Sequence, residues 1–114
     1  MQLSRCLKAA WAALLVLAGF PVAASQAESL SPAAQRGRTF VQAHCAKCHA
    51  IGRVGESPLP IAPPFRTLHQ RYAVESLEES LAEGIITGHP SMPEFRLDPD
   101  QVVAVIAYLK TLER

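Results

Sequence analysis

Cys45 and Cys48 stand three positions apart, and His49 follows the second directly, in the stretch HCAKCHAIG, residues 44–52. Four chemistries use two thiols and an imidazole so close together. A redox dithiol uses C-x-x-C, but it belongs at a helix start that follows a strand in an α/β fold. Structural zinc wants four ligands, commonly as two pairs. The chain has no second cysteine pair, and His44, His69 and His89 are scattered at spacings that match no common site. A disulfide across two intervening residues closes so short a loop that it is strained and stabilises little. The fourth chemistry uses every residue of the motif. Two thiols add across the vinyl groups of a haem to give two thioether bonds, and the histidine ligates the iron. In a helical turn, positions i, i+3 and i+4 share a face, so Cys45, Cys48 and His49 address one flat macrocycle together.

An iron held by His49 has a second axial position to fill. Met92 lies in GHPSMPEF, residues 88–95, a stretch with two prolines and no periodicity. A methionine that only fills a core usually sits on a periodic helix face. One flanked by Ser91 and Pro93 in a stiff loop is placed to act as a weak thioether ligand. Met92 is therefore the expected partner of His49. His89, in the same loop, is the rival, and it carries a different consequence: two histidines lower the reduction potential, whereas methionine with histidine raises it. His44 and His69 are expected at the surface or in the core.

Helices must position these groups. Ser31 followed by Pro32 is a capping hydroxyl and then a residue suited to the first helical position. Ala33, Gly37, Phe40 and Val41 recur at helical spacing, which predicts a helix over 32–44. Gly37 weakens a helix interior, so its expected use is close approach of another helix. GRVGESPLPIAPP, residues 52–64, holds two glycines and four prolines and reads as irregular loop. Short helices are predicted near 65–70 and over 74–83, the second with an apolar stripe of Val74, Leu77, Leu81 and Ile85. Ser76 and Glu79 have the spacing of a capping box. The last helix starts at the Asp98 cap, with Pro99 first and Gln101 third. Val102, Val105, Ile106, Leu109 and Leu112 form its buried face. The expected class is all-α.

The 114 residues suffice for one small domain. Arg5 and Lys8 precede a 12-residue apolar run, Ala9 to Phe20, closed by Pro21 and the small-residue segment PVAASQA. This is the layout of a secretory signal. The run is shorter than the roughly 20 residues that span a bilayer. Cleavage is expected after Ala27, with Ala24 second, so residues 1–27 are a signal peptide and 28–114 the domain. Cys6 leaves with the signal, and Cys45 and Cys48 remain in an oxidising compartment. Of 11 basic residues, Arg5 and Lys8 leave too, so 9 basic face 10 acidic. That balance supplies no field for nucleic acid or an anionic membrane. A core drawn from 87 residues with two irregular loops is small. Burying on the order of 500 Å² of apolar macrocycle, at roughly 25 cal/mol per Å², contributes about 12 kcal/mol of gross driving force.

GRTFVQAHCAKCH, APPF, GHPSMPEF and VVAVIAYLKTL, taken together, resemble the small class I c-type cytochromes of bacteria over nearly all of the domain. The resemblance implies a cytochrome c-like fold, with N- and C-terminal helices packed together around one covalently bound haem c. It implies that Gly37 and Phe40 pack across the last helix near Tyr108. It also implies that Pro63 offers its carbonyl to the Nδ1 proton of His49, with Pro64 beside it as the second choice. Ala62 stands where a glycine is common in the family. Arg66 and Tyr72 are candidates for a haem propionate.

The implied function is electron transfer in the periplasm, with Cys45, Cys48, His49, Met92 and Pro63 holding the haem. Lys47 and Arg53 are candidates to flank its exposed edge. Expected partners are a periplasmic dehydrogenase as donor and an oxidase or other reductase as acceptor. No catalytic residue, nucleic acid or stable membrane insertion is expected. The competing functions are a fixed haem subunit of a dehydrogenase complex and an open-site gas-binding or peroxidase-like protein.

Overall fold

The computed structural model describes residues 28–84 and 92–114, so the signal segment, Ile85 and His89 lie outside the described residues. Helix α1 spans Pro32–His44 and α3 spans Pro99–Lys110. Between them stand a 3₁₀ turn at Phe65–Gln70, a second at Val74–Ser76, and the short helix α2 at Leu77–Glu83. No strand occurs among the described residues.

Local signals start and stop the helices. Ser31 Oγ accepts the Ala34 N–H at 3.2 Å, and Pro32 opens α1. At α3 the Asp98 N–H donates to Gln101 Oε1 at 3.0 Å, as the Asp98–Pro99–Gln101 spacing predicts. The expected capping box at Ser76 and Glu79 does not form. Ser76 has helical backbone angles and no side-chain cap bond, because the 3₁₀ turn of Val74–Ser76 runs straight into α2 and leaves no break to cap. Gly84 ends α2 with φ 110°, a left-handed backbone that glycine adopts without a Cβ penalty.

The core is the seam between α1 and α3. Val41 is fully buried on α1; Val102, Ala104, Val105, Ile106, Tyr108 and Leu109 are buried on α3. Leu68, Val74, Leu97 and Leu112 close the cluster. At the crossing, a Cβ on Gly37 would lie 1.9 Å from the Ala104 carbonyl oxygen and 2.9 Å from Tyr108 Cβ. Only a bare Cα fits against that backbone. Tyr108 then reaches beyond the seam and donates its hydroxyl proton to the Ile51 carbonyl at 2.7 Å, which ties the segment after His49 to α3. Burial pushes the Tyr108 phenol above its ordinary pKa, outweighing nearby Arg38 and Arg53.

By contrast, α2 has no fully buried residue. Its half-buried Leu77 and Leu81 pack against the core and line a cleft beside it.

Two outcomes follow from this packing. Gly37→Ala gains roughly 1 kcal/mol of helix propensity, but the added carbon meets fixed backbone. The net loss is at or above the roughly 3 kcal/mol upper end of usual overpacking costs, readable as a fall in thermal midpoint of more than 10 °C at about 4–8 °C per kcal/mol. Tyr108→Phe loses about 1–2 kcal/mol in neutral denaturant titrations, because the Ile51 carbonyl is left without its donor. A phenol whose folded pKa is raised contributes stability below its unfolded pKa near 10 and loses it as pH climbs through the folded value. The gap between wild type and Tyr108→Phe therefore narrows above about pH 10.

Candidate functional site

The end of α1 delivers the motif. Cys45 caps α1, its N–H donating to the Val41 carbonyl at 2.8 Å. The chain continues as a turn, in which the Cys48 N–H and His49 N–H both donate to the Cys45 carbonyl, at 3.1 and 2.9 Å. Those i+3 and i+4 bonds gather Cys45, Cys48 and His49 in one turn, as their spacing predicts. The two thiols are free.

His49 is 8% exposed, and its Nδ1 lies 2.8 Å from the Pro63 carbonyl oxygen. A carbonyl only accepts, so Nδ1 carries the proton. In the neutral ring Nε2 then presents a lone pair. The choice between Pro63 and Pro64 is decided by a neighbour: the Pro64 carbonyl already accepts the Thr67 hydroxyl at 2.8 Å and the Thr67 N–H at 3.0 Å. The Phe65 ring packs against the imidazole, centroids 4.9 Å apart and tilted 40°.

The backbone after His49 is tied down on every side. The Ala50 N–H donates to Ser57 Oγ at 3.0 Å, the Phe65 N–H to the Ala50 carbonyl at 2.9 Å, and the Leu59 N–H to the Cys48 carbonyl at 3.1 Å. Sequence reasoning missed Ser57, Phe65 and the Tyr108 hydroxyl. A serine in a Pro/Gly-rich loop and an aromatic after a proline carry no pattern that names their partner.

Two adjoining hollows, enclosing about 770 and 840 Å³ of partly open space, share Cys45, His49, Phe65, Met92 and Phe95 in their walls. The inner one is walled by hydrocarbon from α1, α2 and α3, including Val41, Leu81 and Val105; the outer one also touches Lys47 and Cys48. Met92 is half-buried, brought into the same cleft as His49 by the segment leading to α3. That segment is anchored by the Leu97 N–H, which donates to the Leu81 carbonyl at 2.9 Å.

The remaining expectations divide. Tyr72 lines the inner hollow, whereas Arg66 lines a separate one. Arg53 turns away from the cleft and donates Nη2 to the Thr111 carbonyl at 2.5 Å. His44 is exposed and stacks on Phe40 at 4.4 Å, at the outer rim. His69 lies outside the cleft.

The chemistry of the cleft fits a haem. Burial pushes the Cys45 thiol up to about 11, opposite to the lowered pKa of a redox dithiol. No group of three His, Cys, Asp or Glu side chains converges for a metal among the described residues. The cleft offers an apolar lining, two free thiols, an imidazole whose Nδ1 is tied to Pro63, and a thioether. A haem would fill the gap against Leu77, Leu81, Phe40, Phe65 and Phe95, all left half-covered by the protein alone.

Comparison with known proteins agrees. Residues 34–113 match the family model for cytochrome c. The chain is 33% identical over 101 residues to a cytochrome c-553-like protein of Synechocystis sp. (strain ATCC 27184 / PCC 6803 / Kazusa), covering 88% of this chain and 89% of that one. No solved structure matches. With its all-α architecture, its terminal helices packed at Gly37 and its C-x-x-C-H turn, the chain belongs to the cytochrome c family, whose cofactor is a covalently attached haem c and whose members typically carry electrons.

Proposed function

We propose that the protein is a periplasmic electron carrier whose haem c is attached through Cys45 and Cys48 and ligated axially by His49 and Met92. When bound, the haem iron supplies the one-electron couple between ferric and ferrous. The chain's own residues do the rest. The Pro63 carbonyl keeps the His49 proton on Nδ1, which holds Nε2 as the donor atom and raises the basicity of the ring. Met92 brings a neutral, soft sulfur that favours the ferrous state. With the haem in place, Phe65, Leu68, Leu81 and Phe95 would pack against it and limit its contact with water, which would keep reorganisation small when charge changes. With His49 and Met92 both holding the iron, no position would be left open for a substrate. The single observation that carries this reading is the convergence of a Nδ1-locked His49 and Met92 on one apolar cleft beside both thiols.

Electron exchange is proposed at the outer rim near Cys48, where Lys47 is exposed. Transient redox encounters use small interfaces. The donor in this reading is a periplasmic dehydrogenase and the acceptor an oxidase or other reductase, with residues 1–27 removed on export. No helix among the described residues is long and apolar enough to cross a membrane.

Met92→Ala is expected to abolish the sulfur-to-ferric-iron absorption band and lower the potential, with haem still attached. An unchanged band would take Met92 out of the site and make His89→Ala the next variant. Carbon monoxide that binds readily to the reduced wild type at neutral pH would show an open axial position instead. Cys45→Ser combined with Cys48→Ser is expected to release the haem into acid acetone; retention of haem in the protein pellet contradicts the attachment.

A further inference from the structure

We propose that the hollow between the 3₁₀ turn Phe65–Gln70 and the end of α3 binds a small tetrahedral oxyanion of the phosphate or sulfate class. This site is separate from the haem cleft and does not rest on the haem reading. A 3₁₀ turn has three residues per turn, so residues i and i+3 share a side. Phe65 and Leu68 share one side and line the cleft; Arg66 and His69 share the next and line this second hollow. Arg53 and Arg114 join them there, from the loop after the C-x-x-C-H turn and from the chain beyond α3. The hollow encloses about 590 Å³, open in part to solvent, and shares no residue with either half of the cleft.

Its donors outnumber its acceptors. Guanidinium groups only donate. Arg114 is paired with Glu28, donating Nη2 to Oε1 at 2.7 Å. Arg53 gives Nη2 to the Thr111 carbonyl. The Thr67 hydroxyl is spent on the Pro64 carbonyl. Arg66 Nη1 and His69 Nδ1 are then enclosed, with no hydrogen-bond partner. Buried polar atoms are nearly always satisfied, and an unmatched guanidinium nitrogen is among the most costly to leave unpaired. Arg66 as a whole is only partly buried and lines the open hollow. The complement to such a set is an anionic acceptor with several oxygens, which a guanidinium fork grips two at a time. Cationic groups reach the hollow from three chain segments, which suits oxygens pointing tetrahedrally over the single plane of a carboxylate.

The test is a heteronuclear NMR titration of the haem-loaded protein with inorganic phosphate, ionic strength held constant with sodium chloride. Saturable shifts at Arg66 and His69, competed by sulfate, are expected. Arg66→Gln is expected to weaken binding by at least about tenfold, as loss of a charge-assisted hydrogen bond does, and Arg53→Gln gives a second, independent loss if Arg66→Gln folds poorly. Arg36→Gln, on the exposed side of α1, leaves the affinity unchanged. Non-saturating shifts, or equal shifts with chloride alone, mean ionic screening and overturn the site. So does undiminished binding by both arginine variants. Absence of phosphate binding together with moved haem resonances in Arg66→Gln assigns Arg66 to a propionate and overturns it as well.

Discussion

The bond between His49 Nδ1 and the Pro63 carbonyl, 2.8 Å long, is the constraint on which the rest of the site depends. Proline has no N–H, so the 63–64 step offers acceptors only, and the one not taken by Thr67 selects the tautomer of the histidine. That selection requires the loop of residues 52–64 to return to the turn it left. Ser57, Leu59 and Phe65 hold it there through Ala50 and Cys48. Irregular backbone buried beside a site must find partners for its polar groups, and here the partners come from the very segment that carries the motif. In the proposed reading, the same bonds that satisfy the loop also aim the imidazole.

A second constraint makes the first possible. The contact of Gly37 with Ala104 brings α1 and α3 together at backbone distance, and Tyr108 extends α3 to Ile51. The motif turn hangs from the end of α1, so the helix crossing and the tyrosine clasp fix where it sits. The opposite wall is less complete. Leu77, Leu81, Phe65 and Phe95 are only half-covered, and α2 packs none of its side chains fully. A haem c placed in the gap supplies the missing apolar surface. This explains how so short a chain with two loops sustains a core.

Charge is arranged differently from hydrophobicity. The Glu75–Lys110 and Glu28–Arg114 pairs are exposed, and such pairs contribute little to stability. Lys110 and Arg114 each hold their glutamate below the ordinary carboxylate range, which fixes geometry at the surface more than it stabilises the fold. Arg66 Nη1 and His69 Nδ1 lie at the other extreme, enclosed and unmatched. Their position follows from a 3₁₀ turn that sends Phe65 and Leu68 one way and its polar residues another.

Much of this was legible in the residues themselves. The Ser31–Pro32 and Asp98–Pro99 signals placed α1 and α3 because a cap and a first-turn proline act within a few residues of chain. The motif named its cofactor because three reactive groups at i, i+3 and i+4 suit one ligand, and Gly37 announced a close packing partner. Where the sequence was read less well, the cause was competition from distant groups. Residues 74–83 were read as one helix, and Ser76 as its cap, but the chain enters through a 3₁₀ turn that docks Val74 in the core. Arg53 and Arg66 read as candidates for the haem, and the fold turned both away. Which proline faces His49, and which serine receives Ala50, depend on how a loop closes on itself. Local chemistry is written in neighbouring residues; the pairing of groups far apart in the chain is settled only when packing brings them within hydrogen-bond reach.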